Sequence, residues 1–163
     1  MKTYIGIDPG KSGAIAMVSA GMNDGIPQVA MLGLVGKGKH SELDISNISI
    51  IINVCESPIV MLEKVGAMPT DGRASLASFM TAFGELRGML KTLGVPYQLI
   101  TPQAWKKKVL EGLAWKGNKA ASIQYCNAKY PDVRLSHSDR CTVQNHNMAD
   151  ALCLAEYGRM TNA

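Results

Sequence analysis

The sequence has no CxxC pair, no long apolar run, no internal repeat and no low-complexity tract, and each absence removes a class of protein. Its four cysteines, Cys55, Cys126, Cys141 and Cys153, are scattered, and the chain opens directly on a strand-like segment rather than a leader. Both features point to a reducing, cytoplasmic setting. Cys126, His137, Cys141 and His146 match no standard zinc-knuckle spacing. The most apolar stretch is interrupted by Ser46, Asn47, Ser49 and Asn53. It falls short of the roughly 20 apolar residues of a membrane span, so no membrane association is expected. Gly10-Lys11-Ser12 lacks the upstream glycine pattern of a phosphate-cradling Walker loop.

What remains is a chain of 163 residues, 47% hydrophobic and only 18% charged. That is enough apolar material for one core and too little for two ordinary domains, so a single domain spanning residues 1–163 is expected. A formal net charge of +4 is compatible with a polyanionic partner but does not select one.

Residues 3–8 and 13–19 read as a β-hairpin about the Pro9-Gly10 turn. Residues 27–35 supply a third antiparallel strand after a turn at 21–25, and residues 36–40 form a polar loop. Asp44 caps a helix to about Val54, and Ile59-Val60-Met61-Leu62 fits a buried central strand. Residues 66–72 are loop-like. Leu76, Phe79, Met80, Phe83, Leu86 and Leu90 then recur at spacings of three and four, the mark of an amphipathic helix over 74–93. Residues 95–100 form a fifth strand, and Thr101-Pro102 starts a short helix. Asn118 caps another helix that Pro131 stops, and a final helix covers 145–160. The fold class is α/β, a mixed five-stranded sheet with helices on both faces.

Asp8 ends the first strand and Glu63 ends the buried one. If those strands are neighbours, two carboxylates project from one sheet edge and repel unless a hard divalent cation lies between them. Asp150 joins them if the last helix packs beside that edge, and Asn147 sits one helical turn earlier on the same face. Taken singly, each has an ordinary account: Asp-Pro-Gly is a good turn former, and Glu63-Lys64 can be surface charge. The joint pattern favours a metal site.

Gly6-Ile7-Asp8-Pro9-Gly10, Met61-Leu62-Glu63, Thr101-Pro102 with Trp105-Lys106-Lys107, Lys119, and Asn147-Met148-Ala149-Asp150-Ala151-Leu152 follow one another in an order that resembles RuvC-type Holliday junction resolvases. The first motif alone is weak, because sugar kinases and actin-like ATPases share it. The resemblance is to a phage-type member, and it implies an RNase H-like fold and a homodimer that makes paired nicks in four-way DNA. It further implies two Mg²⁺ or Mn²⁺ ions roughly 4 Å apart, held by Asp8, Glu63, Asn147 and Asp150, and products with 5′-phosphate and 3′-hydroxyl ends. Lys119 would stand near the scissile phosphate as a catalytic cation, or else is a solvated helix lysine.

DNA contacts are expected from Lys106, Lys107, Lys108 and Lys116, interleaved with Trp105 and Trp115. Lys11 beside Asp8 and Arg73 at the end of the loop 68–73 are further phosphate contacts, and Phe79 and Phe83 are expected in the core rather than against bases. One position departs from the family pattern, because relatives carry Asp or His where this chain has Asn147. An amide offers a carbonyl oxygen but no charge, so metal occupancy and catalysis are weakened, whether the exchange is natural or introduced. His146 beside it is a possible substitute. A non-catalytic junction binder and an RNA–DNA hybrid nuclease therefore stay open as alternatives, with an actin-like ATPase last because the chain is too short for a second lobe.

Overall fold

The computed structural model describes residues 1–19, 26–64, 66, 72–138 and 140–162, with the side chains of Lys39 and Arg73 outside that set. The turn expected at 21–25 and most of the loop 68–73 lie outside the described residues.

Strand β1 (Thr3–Asp8) and strand β2 (Ala14–Ser19) pair antiparallel from Thr3 opposite Ser19 to Asp8 opposite Ala14. The tight connection depends on two glycines. Gly10 has φ +118, and a Cβ on Gly13 would lie 2.1 Å from the carbonyl oxygen of Asp8. Strand β3 (Gln28–Met31) adds antiparallel to β2. The single strand expected over 27–35 is therefore corrected to a shorter one. Leu32 turns into the core, where it is 4% exposed, and its N–H donates to the Gly13 carbonyl at 2.9 Å. Gly33 then bonds to Asp44, so strand β4 (Leu34–Val35) leaves the main sheet to pair with strand β5 (Glu42–Leu43).

Helix α1 (Ile45–Asn53) starts where Asp44 accepts from the Asn47 N–H at 3.0 Å, as a good N-cap does. Strand β6 (Pro58–Glu63) pairs parallel with β1, and after helix α2 (Arg73–Thr92) strand β7 (Tyr97–Ile100) pairs parallel with β6. The α2 stripe holds for Phe83, Leu86 and Leu90, but Met80 is 45% exposed, because it falls at the margin of the buried arc. Thr101 caps helix α3 (Pro102–Val109) with Pro at its first turn. Asn118 does not cap helix α4 (Ala121–Lys129). Its Oδ1 accepts from Ala120 N–H at 3.0 Å and shapes the turn in front instead. Helix α5 (His146–Asn162) is capped by Asn145, whose Oδ1 accepts from the N–H groups of Asn147 and Met148 at 2.8 and 3.2 Å.

The main sheet runs β3-β2-β1-β6-β7. Ile5, Ile7, Val60 and Leu62 point to the face covered by α1 and α2, and Met61 and the β2 alanines point to the face covered by α3, α4 and α5. That alternation is the two-residue period of a strand buried on both sides. Helix α5 lies unusually close to the sheet, because a Cβ on Gly6 would fall 2.0 Å from the Ala151 carbonyl oxygen and one on Gly158 2.8 Å from the Met61 side chain. Buried Glu156 ties α5 to α4 by accepting from Lys129, from Tyr130 Oη at 2.8 Å and from Arg159 Nε at 2.9 Å. Burial alone would raise its pKa, but these donors outweigh burial and hold the carboxyl down at about 2.

Gly6→Ala is therefore expected to cost at least about 3 kcal/mol, since the clash is with backbone that cannot rotate away. Urea denaturation measures it, and a loss under about 1 kcal/mol would show that α5 can shift outward cheaply.

Candidate functional site

Asp8 and Glu63 are the last residues of two adjacent parallel strands, one step beyond the Ile7 to Leu62 pairing. Both stand at the carboxyl edge of the sheet on the α5 face, where ligand sites of such sheets collect. Asp150 precedes Ala151, the residue whose carbonyl abuts Gly6, so the tight packing of α5 delivers the third carboxylate. Inside the site, buried Trp105 donates from Nε1 to Glu63 Oε1 at 2.8 Å, and the Ser122 hydroxyl bonds Asp150.

All three carboxyls are raised in pKa. Burial is the main cause that pushes Asp8 up to about 8, followed by the charges of Glu63 and Asp150 and by a hydrogen bond with Glu63. Burial also raises Glu63, against the opposing pull of the Trp105 bond. Asp150 is raised by burial and held back by Ser122, Lys106 and His146. The charge of Lys106 opposes the shift at all three, and its ammonium lies over the Trp105 ring at 5.1 Å.

Among the described residues, no three His, Cys, Asp or Glu side chains stand close enough together to hold a metal ion between them. The donor chemistry nonetheless fits a hard divalent cation: three carboxylates at one sheet edge, each raised by burial, with Asp8 raised further by the charges of the other two. Asn147 faces the β1–β2 turn, and its Nδ2 donates to the Ser12 carbonyl at 2.6 Å, leaving Oδ1 as its one acceptor.

Two clefts flank the carboxylates. One of about 160 Å³ contains Asp150 with Lys106, Lys119, His146 and Ser122. The other, of about 440 Å³, contains Asp8 with Lys11, Ser12, Ser75, Phe79 and Asn147. The basic run is thus divided: Lys106 and Lys119 border the site, whereas Lys107, Lys108 and Lys116 are exposed and line neither cleft. Arg73 opens α2, and its side chain lies outside the described residues.

Cys126 lies 3.8 Å from Cys153, His137 is 3.0 Å from Asn145, and Cys141 bonds Val143. Sequence reasoning missed the Trp105 and Ser122 contacts. A tryptophan early in the helix after the strand beside Glu63 was the available signal, because a buried indole N–H needs an acceptor.

No family model matches the sequence, and no curated protein matches it. Solved structures do. Thermus thermophilus RuvC superposes with a TM-score of 0.54 at 16% identity, over 98% of this chain and 96% of that one. Thermus thermophilus RuvC in complex with Holliday junction substrate superposes at 0.56 with 15% identity, over 100% and 98%. The chain has the RuvC fold. That fold is the RNase H-like architecture expected from the ordered motifs, and at these identities the likeness is one of fold. Among the described residues no helix is long and apolar enough to cross a membrane.

The raised Asp8 pKa gives a pH dependence with a definite sign. Its folded value of about 8 exceeds the ordinary 3.8, so its contribution to stability is complete below about pH 4 and is lost as pH rises through 8. Metal-free protein should melt progressively lower from pH 5 to pH 9, and Asp8→Asn should flatten that slope. A slope unchanged in the variant would remove Asp8 as its origin. Trp105→Phe should cost about 1–3 kcal/mol at neutral pH by leaving the Glu63 carboxyl without its donor, as read by chemical denaturation.

Proposed function

We propose that the protein is a divalent-metal-dependent endonuclease that resolves four-way DNA junctions. The observation that carries this reading is the meeting of Asp8, Glu63 and Asp150 at one sheet edge, beside Lys106 and Lys119, on a RuvC fold. A solved neighbour with that fold is bound to Holliday junction substrate, and its shape matches this chain over nearly their full lengths.

Asp8, Glu63 and Asp150 would hold two Mg²⁺ or Mn²⁺ ions, with the Asn147 amide oxygen as a weaker fourth donor. When bound, such ions supply an activated water and stabilise charge on the departing oxygen. The chain's own groups do the rest. Trp105 fixes the Glu63 carboxylate by its indole bond, and Ser122 fixes Asp150. Lys106 and Lys119 border the cleft where a phosphate would lie, and their charge offsets the negative charge that builds as water adds to phosphorus. Cleavage of the bond to the 3′ oxygen leaves a 3′-hydroxyl and a 5′-phosphate. Two symmetric nicks would call for a second such set of carboxylates, which a homodimer would supply. Lys11, Arg73, Lys107, Lys108 and Lys116 would contribute phosphate contacts that set the salt dependence of binding.

A second reading, a junction binder without turnover, is favoured by one observation. The Asn147 amide is neutral, and one of its two side-chain N–H bonds donates to the Ser12 carbonyl. Titrating Mg²⁺ and Mn²⁺ into a four-way junction assay separates the two readings, since nicks at no metal concentration would leave only the binder.

Asp8→Asn, Glu63→Gln and Asp150→Asn should each lower cleavage by at least roughly 100-fold while junction binding in a gel shift persists. Asn147→Asp should raise metal-dependent cleavage. Without metal the same exchange should cost about 1 kcal/mol, because the new carboxylate meets the Ser12 carbonyl instead of donating to it. No gain in rate from that variant would show that the neutral amide does not limit catalysis.

A further inference from the structure

We propose that Asn127 and Gln144 are positioning residues that clamp α4 to the entry of α5 and so set how Lys119 stands to Asp150 across the cleft they share. This rests on the junction-nuclease reading and adds to it two residues that act on the rate without touching DNA or metal.

That cleft has walls from separate elements. Lys119 stands just before α4 and Ser122 in its first turn, whereas His146 and Asp150 belong to the first two turns of α5. At about 160 Å³ the cleft is smaller than an ordinary small-ligand site. A small shift of one wall therefore changes how closely a cation approaches a phosphate held there. Lys119 is exposed, and the connection that carries it turns at Gly117 with φ +73, so its place depends on what holds α4.

One row of contacts runs along the facing sides of the two helices. Ser122 bonds Asp150, Cys126 Sγ lies 3.6 Å from the Ala149 carbonyl oxygen and 3.8 Å from Cys153 Sγ, and Tyr130 bonds Glu156. A single row resists sliding better than rolling, and a roll of α4 would swing Lys119 across the cleft. Asn127 lies off that row, about 100° round the helix from Cys126. Its Nδ2 donates to Gln144 Oε1 at 3.0 Å, and Gln144 Nε2 donates to Asn127 Oδ1 at 2.8 Å. Each amide gives one donor and one acceptor to the other, so both planes are fixed. Gln144 is anchored in turn. The next residue, Asn145, donates its backbone N–H to the Leu135 carbonyl at 2.6 Å and caps α5 with its Oδ1. Asn127 and Gln144 are exposed and line neither cleft beside the carboxylates. Truncating either one leaves its partner in water rather than as a buried orphan, so folding should change little.

The test measures kcat and KM for a four-way junction in Mg²⁺ with the full chain, comparing wild type with Asn127→Ala, Gln144→Ala, Lys119→Ala and the pair Asn127→Ala with Lys119→Ala. Each amide variant should lower kcat about 5-fold, the scale of one net hydrogen bond, with KM and thermal melting close to wild type. The double variant should fall only as far as Lys119→Ala alone, because without the ammonium there is nothing left to misplace. A merely structural role would multiply the two losses instead. If Asn127→Ala cuts at the wild-type rate, or if its loss multiplies with that of Lys119→Ala, the clamp is overturned while the nuclease reading stands. If wild type cuts no junction in Mg²⁺ or Mn²⁺, both fall together.

Discussion

The contact between Gly6 and the backbone of α5 sets the depth at which everything else at the site is arranged. A strand in mid-sheet normally presents a side chain to the helix above it, and that side chain holds the helix off. Here the side chain is absent, and the Ala151 carbonyl and Ala155 N–H occupy the space a Cβ would need. Gly158 repeats the device further along the helix against Met61. Small residues on α5 therefore meet a gap in the sheet, and Asp150 is carried to the edge where Asp8 and Glu63 end their strands.

Close packing then creates an electrostatic difficulty. Three partly or fully buried carboxyls in one place are costly to ionise, as the raised Asp8 value reports. Local groups reduce the difficulty without removing it: the Trp105 indole on Glu63, the Ser122 hydroxyl on Asp150, and the charge of Lys106, which favours the ionised form of all three. The remainder is what a bound divalent cation would relieve.

The helix that bears this load is fastened at both ends. At its start Asn145 caps it and Asn147 ties it to the Ser12 carbonyl. Toward its end Glu156 gathers Lys129, Tyr130 and Arg159, and the Asn162 carbonyl accepts from Tyr4 Oη at 2.8 Å. The Glu156 network is the reverse of the strand-end carboxylate cluster. One buried carboxylate surrounded by donors lies low in pKa, and three carboxylates sharing few donors lie high. Asn147 consequently has a structural task in addition to any weak role as a ligand.

The sequence by itself determined the order of elements and the strand-end positions of Asp8 and Glu63. The hydrophobic period, the Asp44 and Thr101 caps and the Pro-Gly turn are local signals that tertiary contacts did not override. It did not foretell that the third strand would break at Leu32, because a buried leucine and a glycine carbonyl claimed by Asp44 are settled by partners distant in the chain. Nor did it divide the Lys106-Lys107-Lys108 run into one lysine at the carboxylates and two on the surface. That division follows from which face of α3 is buried, and the Trp105 to Glu63 bond on that face exists only once the strands are paired. Charge, spacing and order were legible along the chain; depth, partners and the separation of a cationic cleft from an aromatic one required the sheet and α5 to be assembled.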